Sequence, residues 1–151
     1  MIDLQRPMPN TPPETANHRA FSFFQNLPHA QSLGMTIEQM ADGHAVMSMP
    51  WRDALVGDPE TGVIHGGAVS ALMDTCCGAA AMSHSGATVG TATLGLRIDY
   101  MRAATPGQTI RAEATCYHIT RSVAFVRAVA LDDDRARPVA TATGTITVEG
   151  D

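Results

Sequence analysis

From Gly67 to Ser83 nearly every residue is small or apolar, and Asp74 is the only charged one among them. A helix apolar on most of its circumference has to be wrapped by other structure, so this segment dictates that the rest of the chain form a cover curved around it. His65-Gly66-Gly67 opens the segment and Ser85-Gly86 closes it. An ionised aspartate is poor in helix propensity and costly to bury without partners, which marks Asp74 as an expected buried functional acid.

The rest of the chain is suited to one cover and one domain. With 151 residues, 44% of them hydrophobic and 17% charged, it can bury a single core. Residues 1–14 hold Pro7, Pro9, Pro12 and Pro13 and read as a flexible arm, leaving 15–151 as the domain. A net charge of -5, with ten basic residues forming no run, gives no attraction for nucleic acid or an anionic membrane. Three cysteines, Cys76, Cys77 and Cys116, form no CxxC pair and no disulfide framework. Without a secretory leader or an apolar span of about 20 residues outside the central helix, the expected location is the cytoplasm.

In chain order, Thr15 is a candidate N-cap for a short helix carrying Phe21, Phe24 and Leu27, which stops before Pro28. Residues 35–40 and 44–49 flank Ala41-Asp42-Gly43, a hairpin signal. Residues 51–62 read as a loop leading into the helix. Four strands follow, over 90–103, 109–119, 123–132 and 138–148. Leu94, Leu96, Ile98 and Tyr100 alternate with Gly95, Arg97 and Asp99, so one face of a curved antiparallel sheet is apolar. Small residues on that face allow the helix to sit close. The order of elements predicts an α+β domain.

This order, with His65-Gly66-Gly67 at the helix start, resembles the hotdog-fold thioesterases, in particular the PaaI-type branch of the phenylacetate pathway. The likeness runs from about Leu27 to Val148. It includes Leu33-Gly34-Met35, Asp74 nine residues after His65, the Leu-x-x-x-Tyr-x-Arg strand from Leu96 to Arg102, and Arg121-Ser122 before an apolar strand. It implies hydrolysis of an acyl-CoA thioester without metal or cofactor, in homodimers with shared sites that pair into tetramers. It also implies that Arg121 and Ser122 touch coenzyme A and that Thr93 places water. Members often carry an Asn in the loop before His-Gly-Gly. Here the loop reads Gly57-Asp58-Pro59-Glu60-Thr61-Gly62, leaving Asp58 or Glu60 in its place.

The residues themselves fit thioester chemistry. A thioesterase must stabilise charge on the carbonyl oxygen and supply a nucleophile or a base for water. Unpaired amides at a helix N-terminus can do the first, making Gly66 N–H the candidate oxyanion donor, with Gly67 shaping the turn. Asp74 is the candidate nucleophile or general base, and His65 either orients the Gly66 amide or moves a proton. Arg97 and Arg102 are further phosphate candidates. Met35, Met73 and Met82 are candidates for an adaptable acyl pocket or plain core. His18, His29, His44, His84 and His118 fit no metal-binding spacing.

Gly66 and Asp74 are eight residues apart, about 12 Å along a helix, so one carbonyl cannot meet both on one chain. A homodimer joining His65-Gly66 of one copy to Asp74 of the other resolves this. Two rival functions remain at this level: a hotdog enoyl-CoA hydratase or dehydratase, and a non-catalytic acyl-CoA-binding module.

Overall fold

The structure, a computed structural model, describes residues 13–87 and 90–148. In chain order its elements are α1 (Pro13–Gln25), α2 (Pro28–Ser32), β1 (Thr36–Ala41), β2 (His44–Met49), a 3-10 turn (Asp53–Leu55), β3 (Val56–Asp58) and β4 (Val63–Ile64). Then come α3 (Gly66–Ser83), β5 (Thr91–Tyr100), β6 (Ile110–Ile119), β7 (Val123–Leu131) and β8 (Ala140–Val148). Six strands form one antiparallel sheet in the order β1-β2-β6-β7-β8-β5, and β3 and β4 pair separately. The expected α+β hotdog architecture is present, a sheet packed around the apolar helix α3. Among the described residues no helix is long and apolar enough to cross a membrane.

Small side chains set the distance between helix and sheet. Ala79, Ala80 and Ala81 of α3 are fully buried, as are Ala45, Ala112, Ala114 and Ala130 on the strands that α3 packs against. The approach is close enough that the Cys76 Sγ lies 3.3 Å from the Ala112 carbonyl and 3.4 Å from that of Ala45. Leu72, Met73, Met47 and Ile110 fill the remaining space. Met35 is buried as well and Met82 packs against this core, so the candidate pocket methionines serve as core. All three cysteines are free thiols.

The hairpin forms at the expected place. Ala41 pairs with His44, and Asp42 and Gly43 have φ of 52° and 78°, the left-handed pair that a two-residue turn matching strand twist requires. Three features differ from expectation. The first helix begins at Pro13 rather than at Thr15, taking two residues from the expected arm, of which 1–12 lie outside the described residues. Pro28 starts a further short helix, α2, because a proline at the first helical position loses no intrahelical bond. The loop before α3 holds the 3-10 turn and the two short strands, closed by a 2.8 Å bond from Trp51 Nε1–H to the Gly62 carbonyl.

A fourth difference lies in β5, where regular alternation breaks. Thr93 pairs with Ile146 but Gly95 pairs with Thr145, so Leu94 is an inserted residue in a β-bulge. Thr91 and Thr93 therefore share the helix-facing side with Leu96, Ile98 and Tyr100, while Leu94 is 61% exposed. Gly144 accommodates this kink: a Cβ there would lie 2.6 Å from the Gly95 carbonyl oxygen and 2.8 Å from Leu96 Cδ1.

After β5 the chain is anchored by an ion pair between half-buried Arg102 and buried Asp132. Arg102 forks onto both carboxylate oxygens of Asp132 at 2.8 and 2.6 Å and also donates to the Arg137 carbonyl. Thr105 adds its N–H and hydroxyl, and Asp134 its N–H. The Arg102 guanidinium, with these further donors, holds the Asp132 carboxyl well below the usual carboxylate range against the opposing effect of burial. Asp132→Asn is expected to lower stability at pH 7 by about 3 kcal/mol, since it strands Arg102. A depressed acid stabilises the fold above its unfolded pKa and loses that contribution as pH falls, so the gap between wild type and variant should shrink below about pH 4. Urea unfolding at pH 7 and pH 3 measures both, and an equal gap at the two values would refute this account.

Candidate active site

The N-terminus of α3 leaves one backbone donor open. His65 is the N-cap, with φ -59° and ψ 132°, and its Nδ1 accepts the Gly67 N–H at 2.8 Å. The His65 N–H donates to the Leu55 carbonyl at 2.8 Å and the Ala68 N–H to the His65 carbonyl at 3.0 Å. Gly66, the first helical residue, has no intrahelical acceptor for its N–H, and none is found elsewhere among the described residues. Because Nδ1 accepts, the neutral ring carries its proton on Nε2, and a doubly protonated His65 could not make this cap.

The opposite end of that turn is held by a residue to which the sequence reading gave no role. Tyr100, at the end of β5, donates its hydroxyl to the Gly66 carbonyl at 2.7 Å. The signal was available in the helix-facing alternation of Leu96, Ile98 and Tyr100, but the register against α3 was not. Gly57 was also missed. A Cβ on it would lie 2.7 Å from His65 Cα, so the loop backbone packs directly onto the cap.

Asp74 is exposed in the single chain, which corrects the expectation of a buried acid. Gly67, Ser70, Ala71 and Asp74 follow helical spacing along the N-terminal half of α3, and they are exposed or half-buried. Towards the C-terminus α1 covers the helix, with the Phe24 ring packed where a Cβ on Gly78 would lie 3.3 Å away. The Asp74 Oδ1 accepts the Thr93 hydroxyl at 2.7 Å. Thr93 reaches the helix because the bulge at Leu94 reverses its phase; the uninterrupted alternation expected from Leu94, Leu96, Ile98 and Tyr100 on the core face would have turned it away. The nearby thiols offer no nucleophile. Burial pushes Cys76 far up, and burial with the Asp74 charge pushes Cys77 up to about 12.

The other expected contacts lie elsewhere. Arg97 is exposed and paired with Asp99 on its own strand at 3.0 Å. Arg102 is committed to Asp132, so the expected phosphate ligand is instead an anchor. Arg121 and Ser122 are exposed in the turn between β6 and β7, beside the end of β8, where the Val148 N–H donates to the Ser122 carbonyl at 3.0 Å. Asp58 uses its carboxylate within its own loop, on Thr61 Oγ1 at 2.6 Å and Glu60 N–H at 3.1 Å, and Glu60 is exposed.

A cleft of about 300 Å³ lies against the turn, between Gly66 and Val69 of α3 and the stretch from Tyr100, the last residue of β5, to Ala104. A groove of about 380 Å³ lies on the other side, among Leu33, Leu55, His65 and Ala71. The edge of β5 is unpaired in the single chain, and Leu94, Tyr100 and Met101 are 61%, 50% and 61% exposed there.

Comparison with known proteins places the fold. The thioesterase superfamily pattern matches residues 61–139, over half of the chain, and the chain belongs to that superfamily. Its fold and neighbours are those of the hotdog, PaaI-type members. A Pseudomonas aeruginosa protein of solved structure is 38% identical, with a TM-score of 0.77 over 87% of this chain and 98% of its own. A variant of the phenylacetic acid degradation protein PaaI from Thermus thermophilus is 27% identical, with a TM-score of 0.71 over 81% and 99%. The Escherichia coli PaaI protein, from the phenylacetic acid degradation operon, shares the fold at 22% identity, with a TM-score of 0.77 over 89% and 96%. No curated protein matches by sequence.

The two glycines of the turn differ in their tolerance. A Cβ on Gly67 would lie 2.8 Å from His65 Nδ1 and displace the capping ring, whereas one on Gly66 meets the Tyr100 ring at an ordinary 3.5 Å. Both substitutions share the gain in helix propensity. Gly67→Ala should therefore be less stable than Gly66→Ala by about 1 kcal/mol, the usual worth of an N-cap. Paired denaturation curves test this, and equal stabilities would contradict it.

Proposed function

We propose that this thioesterase hydrolyses an acyl-CoA at a site shared by two copies of the chain. The Gly66 N–H of one copy holds the carbonyl oxygen, and Asp74 of the other acts on the carbonyl carbon. The observation that carries the reading is the pairing of an open Gly66 amide with an exposed Asp74 carboxylate about 12 Å further along the same helix. Two β5 edges paired antiparallel would set the Thr93 end of one strand beside the Tyr100 end of the other, closing that distance between copies. The exposed apolar residues along β5 support such a pairing.

Asp74 either attacks the carbonyl carbon or removes a proton from the water that does. In both cases charge gathers on the oxygen facing Gly66 N–H, the carbon–sulfur bond breaks, and the coenzyme A thiolate leaves and takes up a proton; after direct attack, water then cleaves the acyl anhydride on Asp74, releasing the free acid and restoring the carboxylate. The Thr93 hydroxyl fixes the carboxylate rotamer through Oδ1, leaving Oδ2 for the reaction. Arg121 and Ser122 are the proposed contacts for the coenzyme A portion, and a dimer of dimers is the proposed assembly.

Gly66→Pro is an unusually clean probe. Proline is favoured at the first helical position, and the extended backbone of His65 is what a following proline requires, so the amide is removed without breaking the helix. Thiol release from a panel of acyl-CoAs should fall roughly 10²- to 10³-fold in kcat for Gly66→Pro. For Asp74→Asn the expected loss is roughly 10²- to 10⁴-fold. Mixing the two variants after dissociation should restore roughly a quarter of wild-type activity, because statistical mixed dimers hold one intact site of two. No recovery would refute the shared site. Wild type that releases no thiol from any substrate would favour a binding module.

A further inference from the structure

The open amide is useful only if it stays aimed. Gly66 and Gly67 are adjacent, and glycine has the widest backbone freedom of any residue, so the turn as a sequence is loose. The Gly66 carbonyl and the Gly67 N–H are the two ends of one planar peptide unit. Tyr100 Oη grips the first end at 2.7 Å and His65 Nδ1 the second at 2.8 Å. Rotating that plane breaks at least one of these bonds. The Tyr100 ring also covers Gly66, at 3.5 Å from the position a Cβ would take, and so limits the swing of the residue that carries the free N–H.

We propose that Tyr100 is a positioning residue for thioester hydrolysis, its hydroxyl locking the 66–67 peptide so that the neighbouring Gly66 N–H keeps its aim at the developing oxyanion. This rests on the hydrolase reading above. Tyr100 acts through the backbone and touches none of the reacting atoms. Its place in the fold gives the lock a second property. Tyr100 is half exposed at the end of the unpaired β5 edge, so a second copy seated on that edge would shield the bond from water and strengthen it. The site on one copy would then be stiffened by the same pairing that brings it the partner's acid.

Tyr100→Phe removes only the hydroxyl and keeps the ring against Gly66. With the full-length protein we expect an unchanged oligomeric mass by sedimentation and an unfolding midpoint close to that of wild type. On acyl-CoA, kcat should fall roughly ten- to hundredfold, as misaimed groups cost, with KM within about twofold. Hydrogen exchange of the Gly67 amide, followed by NMR, should become roughly tenfold faster. Unchanged kcat, unchanged Gly67 exchange, or a loss of activity matched by loss of the oligomer would each overturn the proposal. If wild type cleaves no thioester, the hydrolase reading fails, and the exchange measurement alone decides whether the clamp exists.

Discussion

The close seating of α3 on a sheet face of alanines is the contact on which the other features depend. Alanine against alanine brings the two backbones near enough that only one face of the helix is left uncovered, and α1 closes the C-terminal half of that face through Phe24 on Gly78. What remains is the stretch from Gly67 to Asp74. The acid and the open amide lie on that uncovered stretch, which β5, the bare edge strand, borders through Thr93 on Asp74 and Tyr100 on Gly66.

The β5 bulge brings Thr93 onto this open stretch of helix. Without the extra residue at Leu94, strand alternation would point Thr93 away from the helix and leave Asp74 unsupported. The kink is possible because Gly144 on β8 has no side chain to meet the displaced Gly95 carbonyl. A glycine on one strand therefore decides the orientation of a hydroxyl on its neighbour, and through it the rotamer of a carboxylate on a helix. Tyr100 lies beyond the bulge on the same side of the strand and reaches the other end of the functional stretch. One strand thus supports both halves of the proposed site.

Much of this was legible in the residues. The Asp-Gly turn, the four final strands and the apolar helix all fall within a few residues of expectation, since each is fixed by local chemistry: a left-handed turn pair, two-residue alternation, an uninterrupted apolar run. The roles of the arginines were not legible. Arg97 and Arg102 are equally basic in sequence, yet one sits in solvent with Asp99 and the other is locked on buried Asp132, thirty residues away. Alternation also misled at Thr93, because a bulge changes phase through a hydrogen-bond register that only the partner strand reveals.

By itself the sequence determined the helix, its lone acid, its glycine-led start and the separation between them, because helical rise converts residue spacing directly into distance. Tertiary structure alone decided which side of α3 stays open, which hydroxyl meets Asp74 and which ring holds Gly66. Those outcomes depend on pairings between residues 19 and 34 positions apart, and such contacts are set by the packing of whole elements rather than by any property of the local chain.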